Sequence, residues 1–253
     1  MKGKLRLIIA ISLSAIVIIM SFLITNKSIE TFNSSKKHPI YSVDKSEKVA
    51  AVTFDVNWAE KDYLYSILDT LDKYNVKGTF FIMGGWVDYS EENVKKLKDI
   101  KERGHEIGNH SYKHPQFSTI SKEKISEELK KTSDVIEKYT NERPTLMRFP
   151  SGDYNDKAVS AVTKEGYIPI QWDTDSVDWK ELGLDIEYKR VKNNLKPGSI
   201  ILFHNNAKYT NENLDRILNE FISEGYKFIT AGELIYKEDY SINDNGVQYL
   251  KNK

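Results

Sequence analysis

The sequence predicts an α/β fold, a distorted (β/α) barrel of about seven parallel strands preceded by an N-terminal transmembrane helix. Three observations carry this expectation. From Val49 onward, short β-rich runs alternate with amphipathic helical stretches, the rhythm of a mostly parallel sheet covered by helices. A glycine recurs where a helix must turn into the next strand, at Gly78, Gly104, Gly166, Gly198 and Gly225, because glycine takes the left-handed conformation at a helix C-terminus without strain. Near the start, Leu7–Ile24 is a single apolar run. An open doubly wound sheet is the alternative arrangement of the same strands and helices.

The apolar run "LIIAISLSAIVIIMSFLI" follows Lys2, Lys4 and Arg6. As a helix it is about 27 Å long, close to the hydrocarbon thickness of a bilayer. No A-x-A-like cleavage site follows it, so residues 1–25 read as an uncleaved signal-anchor rather than a signal peptide. The basic residues before it favour a cytoplasmic N-terminus, with the remainder outside the cytoplasm. Residues 26–48 are polar and aperiodic and read as a linker. Residues 49–236 hold the alternating pattern, and the polar residues 237–253 read as a peripheral tail.

Within the domain the expected strands are "VAAVTFDV", "GTFFIM", "HEIGNH", "TLMRFP", "YIPIQWDT", "SIILFH" and "KFIT". Three helical faces stand out: Leu64, Ile67, Leu68 and Leu71; Ile125, Leu129, Val135, Ile136 and Tyr139; and Leu214, Ile217, Leu218, Phe221 and Ile222.

Composition narrows the chemistry. The 253 residues include 37 basic and 37 acidic side chains, which leaves no electrostatic footprint for nucleic acid. There is no cysteine, so disulfides and thiolate metal sites are excluded, and a metal must be held by His, Asp, Glu or backbone oxygen. Nothing in the sequence reports an oligomeric state.

In a barrel or a doubly wound sheet, chemistry collects at the C-terminal ends of the strands. Asp55, His110, Arg148 and His204 end four of the expected strands, and Asp175 and Asp178 follow a fifth. His110 and His114, in "HSYKH", lie four apart; on a helical turn they would share one divalent metal. Imidazoles suit zinc first, with cobalt, nickel, manganese or iron also compatible. His105, near the start of its strand, reads as structural. A metal held by two imidazoles can polarise a carbonyl and acidify water, and Asp55 is the obvious base for that water. His204 suits the acid, with Asp178 or Asp175 to hold its imidazolium. Arg148 could orient Asp55 and keep it ionised.

"TFD", "HSYKH", "RFPSG", "DSVDW" and "ILFH" occur in the order and spacing of the polysaccharide deacetylases of carbohydrate esterase family 4, the NodB-homology domain, over about Val49 to Leu234. With its N-terminal apolar run and "FDVNW", the chain most resembles the sporulation-associated, PdaB-like branch. The resemblance implies a metal-assisted hydrolysis of N-acetyl groups on a cell-wall glycan such as peptidoglycan, at the cell or spore envelope. By position, Asp55 would be the base, His110 and His114 metal ligands, Arg148 the tether of the base, and Asp178 the partner of the acid His204. The Ser151 N–H would help hold the oxyanion, and Trp179 and Leu202 would line the pocket for the acetyl methyl group. One departure stands out. The family's usual "TFDD" carries a third metal ligand where this chain has Val56, which cannot coordinate. Asn57, one residue on, is not expected to replace it, because a continuing strand would point it elsewhere. The departure leaves a second expectation, a glycan-binding module without catalysis.

Overall fold

The computed structural model describes residues 38–251. The expected anchor, residues 1–25, and residues 26–37 of the expected linker lie outside them. Among the described residues, no helix is long and apolar enough to cross a membrane.

After a two-residue strand β1 (Ser42–Val43), eight parallel strands build the main sheet: β2 (Val49–Val56), β3 (Thr79–Ile82), β4 (Glu106–Asn109), β5 (Leu146–Met147), β6 (Ile168–Pro169), β7 (Thr174–Asp175), β8 (Ile200–His204) and β9 (Lys227–Ile229). Their order is β6-β5-β4-β3-β2-β8-β7, and β9 pairs with the first residues of β2. The expected strand "YIPIQWDT" is therefore two strands, and these form the two opposite edges of the row. Only residues 170–173 separate the two edges in sequence. Five Cα steps reach at most about 18 Å, so the sheet must curl back on itself into the expected distorted barrel. At the seam, Ile170 N–H donates to Met147 O at 2.8 Å and Asp173 N–H to Ile200 O at 3.3 Å.

Helices α1 (Leu64–Lys73), α2 (Gly84–Val87), α3 (Glu91–Glu102), α4 (Lys122–Thr140), α5 (Asp156–Lys164), α6 (Leu184–Asn194), α7 (Thr210–Ser223) and α8 (Ala231–Leu234) connect the strands. The expected apolar face of α1 is wholly buried, as is that of α7 except for Ile222, which is exposed. On α4, Ile125, Leu129 and Ile136 are buried, with Val135 and Tyr139 packed at the margin. Period-2 alternation sorts β2 between two cores. Ala50, Val52, Phe54 and Val56 join the outer layer with Leu64, Leu68 and Leu218. Ala51 packs inside the barrel with Phe81, Leu146 and Ile200. Thr53 and Asp55 share the register of Ala51, and this directs the carboxylate to the barrel mouth.

Two expectations are corrected. Gly104, Gly166, Gly198 and Gly225 are left-handed, with φ from +79° to +90°, but Gly78 is not among the positive-φ residues. Asn75, at φ 53°, takes that role after α1. Gly78 is needed for space instead, since a Cβ there would lie 3.1 Å from the Phe54 ring and from Val52 O. The second correction concerns the chain ends. Residues 38–48 of the expected linker and 237–251 of the expected tail fold together: β1, β11 (Val247–Leu250) and β10 (Tyr240–Ile242) form a small sheet in the order β1-β11-β10. Ile40 and Val43 enter the inner core, and the buried Gln248 side chain bonds Tyr236 N and O, both at 2.8 Å.

Candidate active site

The C-terminal ends of β2, β4, β5, β7 and β8 surround a cleft of about 410 Å³, lined by Asp55, Asn57, His114, Ser151, Trp172, Asp175, Trp179, Leu202 and His204. Asp55 stands in register with Phe81 of β3 and His204 of β8. It is 3 % exposed. Its Oδ1 accepts from Arg148 Nη1 at 2.9 Å. Arg148 is itself fully buried: Nη2 donates to Gln171 O at 3.1 Å, and the guanidinium stacks over the Phe81 ring at 4.1 Å. Burial alone would raise the Asp55 pKa. Electrostatic attraction to the His110, Arg148 and His204 side chains and the Arg148 hydrogen bond outweigh it and hold the carboxyl below the usual carboxylate range. Asp55 is thus ionised and oriented.

His110 is fully buried after β4. Its Nδ1 lies 3.0 Å from Arg148 O, and a carbonyl only accepts, so Nδ1 carries the proton. Nε2 keeps its lone pair, has no hydrogen-bond partner, and sits 3.4 Å from Asp55 Oδ2. Burial pushes the ring's pKa down to about 4, so it is neutral at pH 7. Burial also lowers that of His114, whose ring lies 4.9 Å from the His110 ring, edge to face.

The "HSYKH" segment is not the helical turn expected from the spacing. Ser111 and His114 are both left-handed, at φ 63° and 59°. Side chains the sequence reading passed over hold this loop. Asn109 Oδ1 accepts from Ser111 N–H at 2.8 Å, Ser111 Oγ accepts from His114 N–H at 3.0 Å, and the buried Glu128 of α4 accepts from Tyr112 N–H and Lys113 N–H at 3.0 and 2.7 Å. The available signal was a glutamate on the apolar side of α4, one residue before Leu129.

His204 ends β8. Its backbone N–H donates to Asp178 Oδ2 at 2.8 Å, its Nδ1 donates to Asp178 Oδ1 at 2.7 Å, and Thr210 Oγ1 also donates to Asp178 Oδ2. Burial would lower the His204 pKa; the hydrogen bond and charge of Asp178, aided by Asp55 and Asp175, raise it instead. Asp178 is therefore the partner of His204. Asp175 faces the cleft, but its Oδ1 accepts from Val177 N–H at 2.8 Å and it makes no hydrogen bond to His204. That bond helps shape a left-handed Val177, φ 57°. Ser151 is left-handed at φ 54° and exposed at the rim. Leu202 is buried in the wall, and Trp179 is 58 % exposed beside it. Trp172, not singled out from sequence, completes this apolar wall.

Val56 is fully buried in the outer apolar core. The strand stops there, and Asn57 faces the cleft rather than away from it. Among the described residues, no three of His, Asp and Glu are grouped to hold a metal ion. The donors present still suit a cation. The His110 lone pair and the Asp55 carboxylate, two acceptors, face each other with no hydrogen between them, and His114 stands alongside.

A barrel mouth that joins an arginine-held carboxylate, a carboxylate-held imidazole and two further histidines defines an acid–base centre. The chain belongs to the polysaccharide deacetylase family, whose model matches residues 42–170. It is 36 % identical to the peptidoglycan-N-acetylglucosamine deacetylase PgdA of Listeria monocytogenes, over 86 % of this chain and 44 % of that protein. It is 34 % identical to a peptidoglycan-N-acetylglucosamine deacetylase of Bacillus cereus, over 77 % of this chain and 92 % of that one. An uncharacterised protein, YlxY of Bacillus subtilis, is 33 % identical, and this chain spans 62 % of its length. Several curated relatives are thus longer than the region they share with this chain. Among solved structures, a Bacillus anthracis protein described as a CE4 family pseudoenzyme superimposes with a TM-score of 0.73 at 36 % identity, covering 79 % of this chain and 69 % of that one. A mutant of the same protein, described as having restored enzymatic activity, fits equally well, with a TM-score of 0.73 at 36 % identity.

Proposed function

We propose that the chain hydrolyses N-acetyl groups on a cell-wall glycan, peptidoglycan above all, releasing acetate and leaving a free amino sugar. The observation that carries this reading is the pair of opposed titratable groups in one cleft. Arg148 favours the ionised form of Asp55, and Asp178 favours the protonated form of His204 by raising its pKa. A module that only bound glycan would need neither. In the reaction Asp55 takes a proton from water as its oxygen attacks the acetyl carbonyl. His204 then gives its Nε2 proton to the nitrogen as the C–N bond breaks. Leu202, Trp172 and Trp179 form the apolar wall against which the acetyl methyl group rests. The left-handed Ser151 at the rim supports its expected place beside the oxyanion. His110 Nε2 and His114 would hold a divalent cation, zinc first; when bound it supplies Lewis acidity toward the carbonyl and the water.

Membrane anchoring through residues 1–25 belongs to this proposal on the strength of the apolar run. A spore-envelope setting rests on motif resemblance to the PdaB-like branch. The test is acetate release from N-acetylated peptidoglycan and chitooligosaccharides by the full chain. Release that Asp55→Asn abolishes supports the reading, and no release from any N-acetylated glycan removes it. Val56 and the pseudoenzyme neighbour favour a second reading, a glycan-binding module without catalysis; glycan binding without acetate release would identify it.

A further inference from the structure

We propose that the side-chain oxygen of Asn57 serves as the third protein ligand of the divalent cation, replacing the carboxylate that the family's usual motif places at position 56. This inference rests on the reading of the cleft as a metal centre.

Four observations converge on it. Position 56 is unavailable, because Val56 is completely buried in the outer apolar core with Val52 and Phe54. The strand ends at Val56, so the period-2 rule no longer governs the next side chain, and Asn57 lines the cleft with Asp55 and His114. Its backbone is fixed from both sides by the fully buried Asn205. Asn57 N–H donates to Asn205 Oδ1 at 3.0 Å, and Asn205 Nδ2 donates to Asn57 O at 3.3 Å. The side chain is not fixed in this way. Asn57 Oδ1 is buried and has no hydrogen-bond partner. An orphaned buried acceptor is costly, and Nε2 of His110, 3.4 Å from the cleft residue Asp55, is likewise buried without a hydrogen-bond partner. A cation held by both would answer the two acceptors at once.

An amide oxygen is a hard, neutral donor that binds divalent cations through its lone pairs. Two neutral imidazoles and an amide leave the cation's charge less neutralised than a site with a carboxylate. Affinity is correspondingly lower, and the field the cation exerts on its surroundings is stronger.

The experiment is a calorimetric titration of zinc into the metal-stripped full chain in mild detergent, with the melting temperature of each variant as a control for folding. One zinc per chain is expected in the unaltered protein. Asn57→Ala should weaken binding by about tenfold or more, and Asn57→Asp should tighten it by at least about tenfold. Val56→Asp should bring no tightening. A cobalt-loaded sample gives a second readout, since the visible absorption band should change shape in Asn57→Ala. Unaltered zinc affinity in Asn57→Ala, or tightening by Val56→Asp but not by Asn57→Asp, would overturn the assignment while leaving the histidine centre standing. No zinc bound up to millimolar concentration by the unaltered chain or any variant would overturn both.

Discussion

The two sides of the cleft differ in how far their polar groups are satisfied. On the β8 side Asp178 is fully engaged: it accepts from His204 N–H, His204 Nδ1–H and Thr210 Oγ1–H, and raises the imidazole's pKa without help from outside the chain. On the β4 side the protein spends three side chains, Asn109, Ser111 and Glu128, to hold a strained loop, yet leaves His110 Nε2 unpaired. Asp55 and Arg148 stand between the two. A closed network can move a proton on its own. An open one, held with two left-handed residues, is where the proposed cation would bind. The comparison separates the part of the site complete in the polypeptide from the part that, on the proposed reading, takes a cation.

The largest test of this division falls on the residue both sides share. Asp55→Asn should lower acetate release about 10³-fold. It should also cost about 3 kcal/mol of stability, because Arg148 would be left buried without its anion; a denaturant melt beside a rate assay reads both. On the closed side, Asp178→Asn should lower kcat about 10²-fold. Asp178 raises the His204 pKa, so the acid form is present below that raised pKa and is lost as pH climbs through it. Removing Asp178 should move the alkaline limb of the pH–rate profile to lower pH, and an unmoved limb would separate His204 from the acid role.

Stability of the metal-free chain should respond to pH through His105 and His110, whose pKa values burial lowers to about 4. The unfolded chain takes up these protons near the ordinary histidine value while the folded chain refuses them down to about pH 4. The stabilisation is therefore complete above about 6.5 and falls as pH drops toward 4, by about 1.4 kcal/mol per pH unit for each histidine. His105→Gln should reduce that slope in urea titrations, and an unchanged slope would show that His105 titrates normally. The smallest effect sharpens the comparison most. Glu128→Ala removes the acceptor for Tyr112 N–H and Lys113 N–H and should weaken zinc binding about tenfold. Thr210→Val, on the closed side, should leave zinc affinity unchanged.

Much of this was legible in the sequence. Long apolar periodicities on α1, α4 and α7 gave the helices, and the eight-residue run of β2 marked the strand that carries Asp55. What stayed hidden has physical reasons. β1, β6 and β7 are two residues each, too short for any period, so the split at 170–173 and the folding of 38–48 onto 237–251 left no pattern. The "HSYKH" spacing located the histidines but not their loop, because left-handed serine and histidine have no compositional marker. The direction of Asn57 depends on where β2 ends. That end is set by pairing with β3 and β8, which the sequence of β2 does not contain.

The most direct measurement is acetate release from N-acetylated peptidoglycan by the full chain as isolated, after exhaustive chelation, and after zinc is restored. Activity lost on chelation and recovered with zinc is the expected result, since the proposed centre on the β4 side works through a bound cation. Activity that survives chelation undiminished would contradict the division between a closed and an open side, and no activity in any metal state would place the chain with the family's silent members.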